Sequence, residues 1–244
     1  MNRYLARCGV ASRRAADALI AGGAVLVNGQ LPPASGQLVE PGVDRVTLRG
    51  AEVSPPSGRA RHHIVLHKPV GVIVTAHDPQ GRPTVFELVG EETGARRLFS
   101  VGRLDMDSSG LLLLTDDGDL AQRLAHPRHG LSKEYRVTVS GVPDEAALRS
   151  LRQGVSLDGR PARALQVEVL QQQGRLSSLR VVVAEGRNRQ VRRMLEGVGH
   201  PVIDLRREAF GPIRLGRLKV GAWRHLRPAE VAALQGQSGA ETRS

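Results

Sequence analysis

Apolar residues along the chain alternate with polar ones more often than they recur at helical spacing, which predicts many short strands and a few helices. Two short helices and a hairpin are expected first. Ser12 is placed to N-cap a helix running through Leu19 and Ile20, and Gly22 and Gly23 to stop it by entering the left-handed region. AVLVNGQL then alternates around Asn28-Gly29, the strongest short hairpin signal in the chain, and DRVTLRG carries a weaker strand pattern. SPPSGRAR, from Ser54 to Arg61, has the proline, glycine and polar content of a linker. Beyond it HIVLHK, LFSVG, LLLLT, EYRVTVS, RALQVEVL and LSSLRVVVA read as strands, while DGDLAQRLA, PDEAALRSLRQ, NRQVRRMLEGV and RPAEVAAL read as helices.

Strands thus follow one another without regular helical crossovers. The expected fold class is α+β: a small helical and hairpin module over residues 1–53, a linker over 54–61, and a larger domain over 62–236 whose mixed, largely antiparallel sheet is flanked by helices. Residues 237–244 read as a frayed tail.

Charge narrows the function. Lys and Arg number 35 against 24 Asp and Glu, a formal charge of +11, so the surface attracts polyanions, and nucleic acid is the expected one. A membrane is disfavoured, because no apolar run is long enough to span a bilayer and no basic amphipathic helix carries aromatic anchors. The start, MNRYLARCGV, lacks the features of a secretory signal, and the single cysteine, Cys8, offers neither an internal disulfide nor a metal cluster; a cytoplasmic protein without metal or cofactor is expected. With 2 Tyr, 3 Phe and 1 Trp there is no broad stacking platform for bases, so any stacking must be local.

Arg3 and Arg7 lie one helical turn apart, and Arg13 and Arg14 open the next helix. Each alone reads as a solvated surface residue; together they suit phosphate contacts. In VGRLDMDSSGLLLLTDDG a polar loop runs into the most apolar stretch of the chain and offers two acids, Asp105 and Asp107. Paired acids can divide acid and base work, although neighbouring aspartates more commonly cap turns, and the calcium-loop spacing is absent. EGRNRQVRRM brings four arginines to a strand end and the helix after it, a pattern that usually marks a solvated face. Arg192, however, adjoins the apolar residues Val191, Met194 and Leu195, so its guanidinium can reach inward and needs an anionic partner, for which Asp105 is the candidate. Tyr135 opens a strand, where core or rim is the commoner role, and Lys68-Pro69 and Gly81-Arg82-Pro83 read as structured loops that bind phosphate or simply turn the chain.

The stretch LARCGVASRRAADALIAGGAVLVNGQ resembles the S-four-type RNA-binding module, which implies that Arg3, Arg7, Arg13 and Arg14 face RNA. In order, HKPVGVIVTAHDPQGRPTV, GRLDMDSSGLLLLTDDGDLAQRLAHPRHGLSKEY, EGRNRQVRRMLEGVGHPV and GPIRLGRLKVGAWRHL closely resemble the RsuA/RluB-type pseudouridine synthases, through nearly the whole chain. Members commonly carry threonine within the segment that here reads Asp107-Ser108-Ser109-Gly110, and asparagine at Asp116 or Asp117; both changes keep side-chain hydrogen bonding. The resemblance implies isomerisation of uridine to pseudouridine in ribosomal RNA, of the large rather than the small subunit. It implies Asp105 as the catalytic carboxylate, by covalent attack or proton abstraction, and Tyr135 against the target base. Arg192 is implied as the arginine paired with Asp105, with Arg187 and Arg189 as alternatives and as RNA contacts, while Arg103 is placed to hold the extruded strand. The expected partner is ribosomal RNA or a pre-ribosomal subunit, bound by a monomer with no protein partner. A non-catalytic RNA-binding or assembly protein is the main rival; a nucleosidase is the second, disfavoured because no second acid stands ready to activate water.

Overall fold

The structure is a computed structural model that describes residues 1–33, 37–55, 61–90, 98–126 and 131–237. The expected tail therefore lies almost wholly outside the described residues, as does most of the expected linker. The chain divides into two compact units, Met1–Arg61 and His62–Ser244.

In the first unit helices α1 (Asn2–Arg7) and α2 (Arg13–Ala21) precede strands β1 (Val25–Val27), β2 (Val46–Leu48) and β3 (Ala51–Glu52), which form an antiparallel sheet in that order. Ser12 caps α2 as expected, its side chain accepting from the Ala15 N–H at 3.0 Å. Of the two glycines after it only Gly23 is left-handed, at φ +69°. Asn28 and Gly29 do form a tight turn, closed by a bridge between Val27 and Gln30, but β1 finds its ladder partner in β2 rather than in the residues just past the turn. Pro32 and Pro33 follow the turn, and proline cannot donate to a ladder. Asn28 instead reaches the residues just before β2, accepting from the Arg45 N–H and donating to Asp44, both at 2.9 Å. Leu5, Ala16, Val25, Val27 and Val46 make the unit's own apolar core.

The second unit holds β4 (His63–Lys68), α3 (Val85–Val89), β5 (Phe99–Ser100), β6 (Ser109–Thr115), α4 (Gly118–Ala125), β7 (Lys133–Ser140) and α5 (Glu145–Gln153). The hairpin β8 (Val155–Leu157) and β9 (Arg160–Ala162) follows, then β10 (Gln166–Gln173), β11 (Leu176–Val183), α6 (Gln190–Gly197), β12 (Val202–Phe210), β13 (Ile213–Arg214), β14 (Trp223–His225) and α7 (Pro228–Gln237). The main sheet runs β10-β11-β7-β12-β6-β4-β14, with β13 on β12 and β5 on β6. Its described pairings are antiparallel except β12 with β6, so the expected mixed, largely antiparallel sheet is present. Among the described residues no helix is long and apolar enough to cross a membrane.

Strand β6 is apolar from Leu111 to Leu114 because both of its faces are covered. Leu112 and Leu114 join one core with Val137, Leu148, Met194 and Leu205, whereas Leu111 and Leu113 join another with Leu120, Leu124, Phe210 and Leu234.

The sequence pattern missed β12, which lies between β7 and β6 at the middle of the sheet. VIDLRREAF breaks alternation with four charged residues, yet Arg206 pairs with Glu208 at 2.6 Å, and the buried Arg207 donates its Nε to Leu111 O at 2.7 Å. The close approach of β12 to β6 also needs Gly110, at φ +107°: a Cβ there would lie 2.3 Å from Arg207 O and 2.5 Å from Arg207 N.

Candidate active site

The loop between β5 and β6 carries Asp105 and is held from beneath. Lys68, at the end of β4, is fully buried and donates its Nζ to Ser108 O at 2.7 Å and Pro69 O at 2.8 Å. Burial pushes its ammonium down to about 8, against the attraction of Asp105 and Asp107. The Ser108 N–H closes a turn on Asp105 O at 3.1 Å, and the Gly71 N–H binds Met106 O at 2.8 Å. Asp105 is thereby presented from a loop tied at three points, with about 29 % of its side chain exposed.

Asp105 stands at the edge of a cavity of about 900 Å³. Tyr135, Leu205, Val191 and Phe210 give it apolar walls, and Arg103, Lys133, Arg187, Arg189 and Arg207 surround them with cations. Tyr135 is buried, with 8 % exposed. A smaller recess of about 350 Å³ opens on the other side of Asp105, lined by Ile73, Thr75, His77, Arg82 and Arg103. The Gly81-Arg82-Pro83 loop therefore does border the site, and Arg82 is held there by Asp78 at 2.7 Å.

The expected pairing of Arg192 with Asp105 is not the one found. Arg192 does turn inward, with its side chain 5 % exposed, but its Nη2 donates to Asp107 O at 2.7 Å and its Nε lies 3.4 Å from Asp107 Oδ2. Its Nη1 donates to Val202 O at 3.3 Å. Arg189 is the cation beside Asp105, 3.9 Å from Oδ2, while its main partner is again Asp107, through two bonds of 2.9 and 3.1 Å. The cause lies in the start of α6: Arg189 takes a left-handed conformation, φ +47°, at the cap position, where its side chain meets the loop acids, and Arg192 sits a turn deeper against backbone carbonyls. Burial opposes ionisation of Asp107, but the Arg189 hydrogen bonds and the charges of Arg192 and Arg189 outweigh it, and the carboxyl titrates below its usual range. Asp107 is thus the clasp between loop and helix.

Arg187 borders the cavity and is engaged by Glu185 at 2.7 Å and by Arg160 O and Pro161 O. Arg103 is exposed and lines both recesses. Arg3, Arg7, Arg13 and Arg14 are exposed on the first unit. Sequence reasoning missed Lys133 and Arg207, which share the wall with Tyr135; Lys133 is visible two positions before Tyr135 on an alternating strand, whereas Arg207 lies in the strand the pattern did not predict.

The large cavity thus carries two acids, Asp105 and Glu185, with Tyr135 on its wall. The RNA pseudouridylate synthase family matches residues 62–197, and the S4 domain matches residues 2–42. The chain is 40 % identical over 238 residues to the ribosomal large subunit pseudouridine synthase B of Bacillus subtilis, covering 96 % of this chain and 95 % of that one. It is 39 % identical over 240 residues to the protein of the same name from Salmonella typhimurium, covering 97 % of this chain and 82 % of that one. A solved pseudouridylate synthase superposes over 96 % of this chain and 98 % of its own, with a TM-score of 0.68 and 29 % identity. With the catalytic-domain match reaching from β4 through α6, the elements that carry Asp105, Tyr135 and the arginines of the clasp, the chain belongs to the RNA pseudouridylate synthase family.

Proposed function

We propose that the protein converts a uridine of large-subunit ribosomal RNA to pseudouridine, with Asp105 acting at the sugar carbon. The observation that carries the assignment of Asp105 is its place at the edge of a cavity large enough for a nucleotide, with Tyr135 on the wall and Arg189 at 3.9 Å. The two relatives named for the large ribosomal subunit, each matched over nearly the whole of this chain, support the choice of RNA.

The chemistry asks for little else. The bond between C1′ and N1 breaks, the base turns, and a bond forms between C1′ and C5, without net oxidation or reduction. Asp105 compensates the sugar, either by bonding C1′ or by taking a proton. Tyr135 packs against the extruded base, and Arg103, Arg187 and Arg189 grip the flanking strand. Arg192 acts as a positioning residue, because it reaches Asp105 only through the Asp107 segment. Residues 1–53 serve as the RNA-binding module, with Arg3, Arg7, Arg13 and Arg14 on phosphates, and residues 62–236 as the catalytic domain, in a cytoplasmic monomer that needs no cofactor.

Pseudouridine mapping of ribosomal RNA from a strain lacking the gene tests this directly. One large-subunit position is expected to revert to uridine, to be restored by the wild-type gene, and to stay unmodified with Asp105→Asn although that variant still binds the RNA. Restoration by Asp105→Asn would refute the assignment of Asp105, and an unchanged map would refute the activity.

A further inference from the structure

Two cations on the cavity wall have no task in the scheme above. Arg207 is the ladder partner of Tyr135 across β7 and β12, and both side chains line the cavity. Arg207 is only 2 % exposed. Its Nε is satisfied by Leu111 O, but Nη2, shielded from water, has no acceptor among the described residues. Lys133 lines the same wall and donates to two neutral carbonyls, Leu131 O at 3.0 Å and Ala184 O at 3.1 Å. The Arg207 guanidinium and the Lys133 ammonium lie 5.5 and 5.6 Å from the centre of the Phe210 ring, so the two charges share one aromatic shelf. Neither is in an ion pair among the described residues. Burial, then the nearby charge of Arg207, lower the Lys133 ammonium to about 8, with Glu185 acting the other way.

A buried guanidinium nitrogen left without an acceptor is unfavourable, and a second cation beside it adds repulsion. The bond to Leu111 explains why β12 keeps an arginine side chain against β6, but a structural role leaves Nη2 unused. An acceptor carrying negative charge would satisfy both groups. Flanking phosphates belong with the exposed arginines, whereas the wall beside Tyr135 is where the base would sit.

We propose that Arg207 is a catalytic residue that donates to a carbonyl oxygen of uracil and stabilises the negative charge of the detached base, with Lys133 supplying a second positive charge. This rests on the isomerase reading. When the C1′–N1 bond breaks, its electron pair leaves with the base and spreads onto O2 and O4, while Asp105 bonds C1′ or takes the 2′ proton. Rejoining uses a ring π pair to form the C5–C1′ bond, the proton on C5 is lost and N1 gains one, and any proton taken from the sugar returns to it. The product is an isomer of the starting nucleotide. The base carries full charge only between the two bond changes, so a donor fixed in a dry wall holds the intermediate and the transition states beside it more tightly than the bound uridine.

The test compares the full chain's affinity for uracil and for barbiturate, a ring of similar shape that is anionic at neutral pH, by ligand-observed NMR. Wild type is expected to favour barbiturate by about 10-fold or more, and Arg207→Met and Arg207→Gln to reduce that ratio to about 1 while changing uracil affinity less than about 3-fold. On unmodified ribosomal RNA both variants are expected to lose about 100-fold or more in single-turnover rate, with RNA affinity within about 3-fold of wild type. Lys133→Met leaves the Leu111 bond intact and decides the matter should the Arg207 variants not fold: its ratio is expected to fall about 3-fold, and an unchanged ratio overturns the proposal. An active wild type whose Arg207 variants keep the ratio and the rate also overturns it, while leaving the isomerase reading standing. A wild type that makes no pseudouridine refutes that reading and, with it, the catalytic role of Arg207, whatever the barbiturate ratio.

Discussion

Lys68 lies outside the cavity wall, yet the presentation of Asp105 depends on it. Its buried Nζ holds the carbonyls of Ser108 and Pro69, so Lys68→Met leaves two acceptors unpaired and is expected to lower the unfolding free energy by roughly 3 kcal/mol in a urea titration. Asp105→Asn, at a partly exposed loop position, is expected to change stability by less than about 0.5 kcal/mol. Lys68, fully buried, and Lys133, half-buried, also set a pH dependence. Both Lys68 and Lys133 titrate near 8 in the fold, below the ordinary value of 10.5. Between those values the unfolded chain binds the extra protons, so their contribution is unfavourable below about pH 8 and is relieved as pH rises toward 10.5. Urea titrations from pH 7 to 10 are therefore expected to show the stability gap between Lys133→Met and wild type shifting in favour of wild type as pH rises. A constant gap would mean that the Lys133 ammonium titrates normally.

Among the elements, β6 and β12 bear most on the site. Gly110 lets the two backbones meet, and no side chain fits there: Gly110→Ala puts a Cβ 2.3 Å from Arg207 O at a φ of +107°. It is expected to cost about 3 kcal/mol or more in stability and to displace Arg207, visible as a lower melting temperature and a reduced rate. Most elements were legible from local rules. Ser12, Asp117 and Asp144 cap α2, α4 and α5, and β7 alternates as its burial requires. Strand β12 was not legible, because its charges are satisfied only by partners from elsewhere in the fold. The partner of β1 was hidden for the same reason: the turn at Asn28-Gly29 is local, but β2 lies 16 or more residues beyond that turn in sequence.

For the whole molecule, a charge of +11 implies salt-sensitive binding to RNA. Replacing Arg13 and Arg14 by alanine is expected to weaken RNA binding regardless of sequence and to reduce the slope of log affinity against log salt by roughly 1 for each phosphate no longer neutralised. The single-turnover rate at saturating RNA is expected to stay at the wild-type value; a fall in that rate with an unchanged slope would remove those arginines from the binding surface. Caps, alternation, charge and motif spacing are properties of nearby residues, so the two-part organisation, the α+β class, the polyanionic partner and the loop that carries Asp105 were readable from the chain alone. That Arg189 rather than Arg192 stands beside Asp105, that Asp107 is the clasp, and that Arg207 reaches the wall beside Tyr135 became visible only in the folded chain. Those outcomes depend on which strands lie side by side and on how deep each residue of α6 falls, and buried charge is tolerated only where a partner arrives from a distant part of the chain.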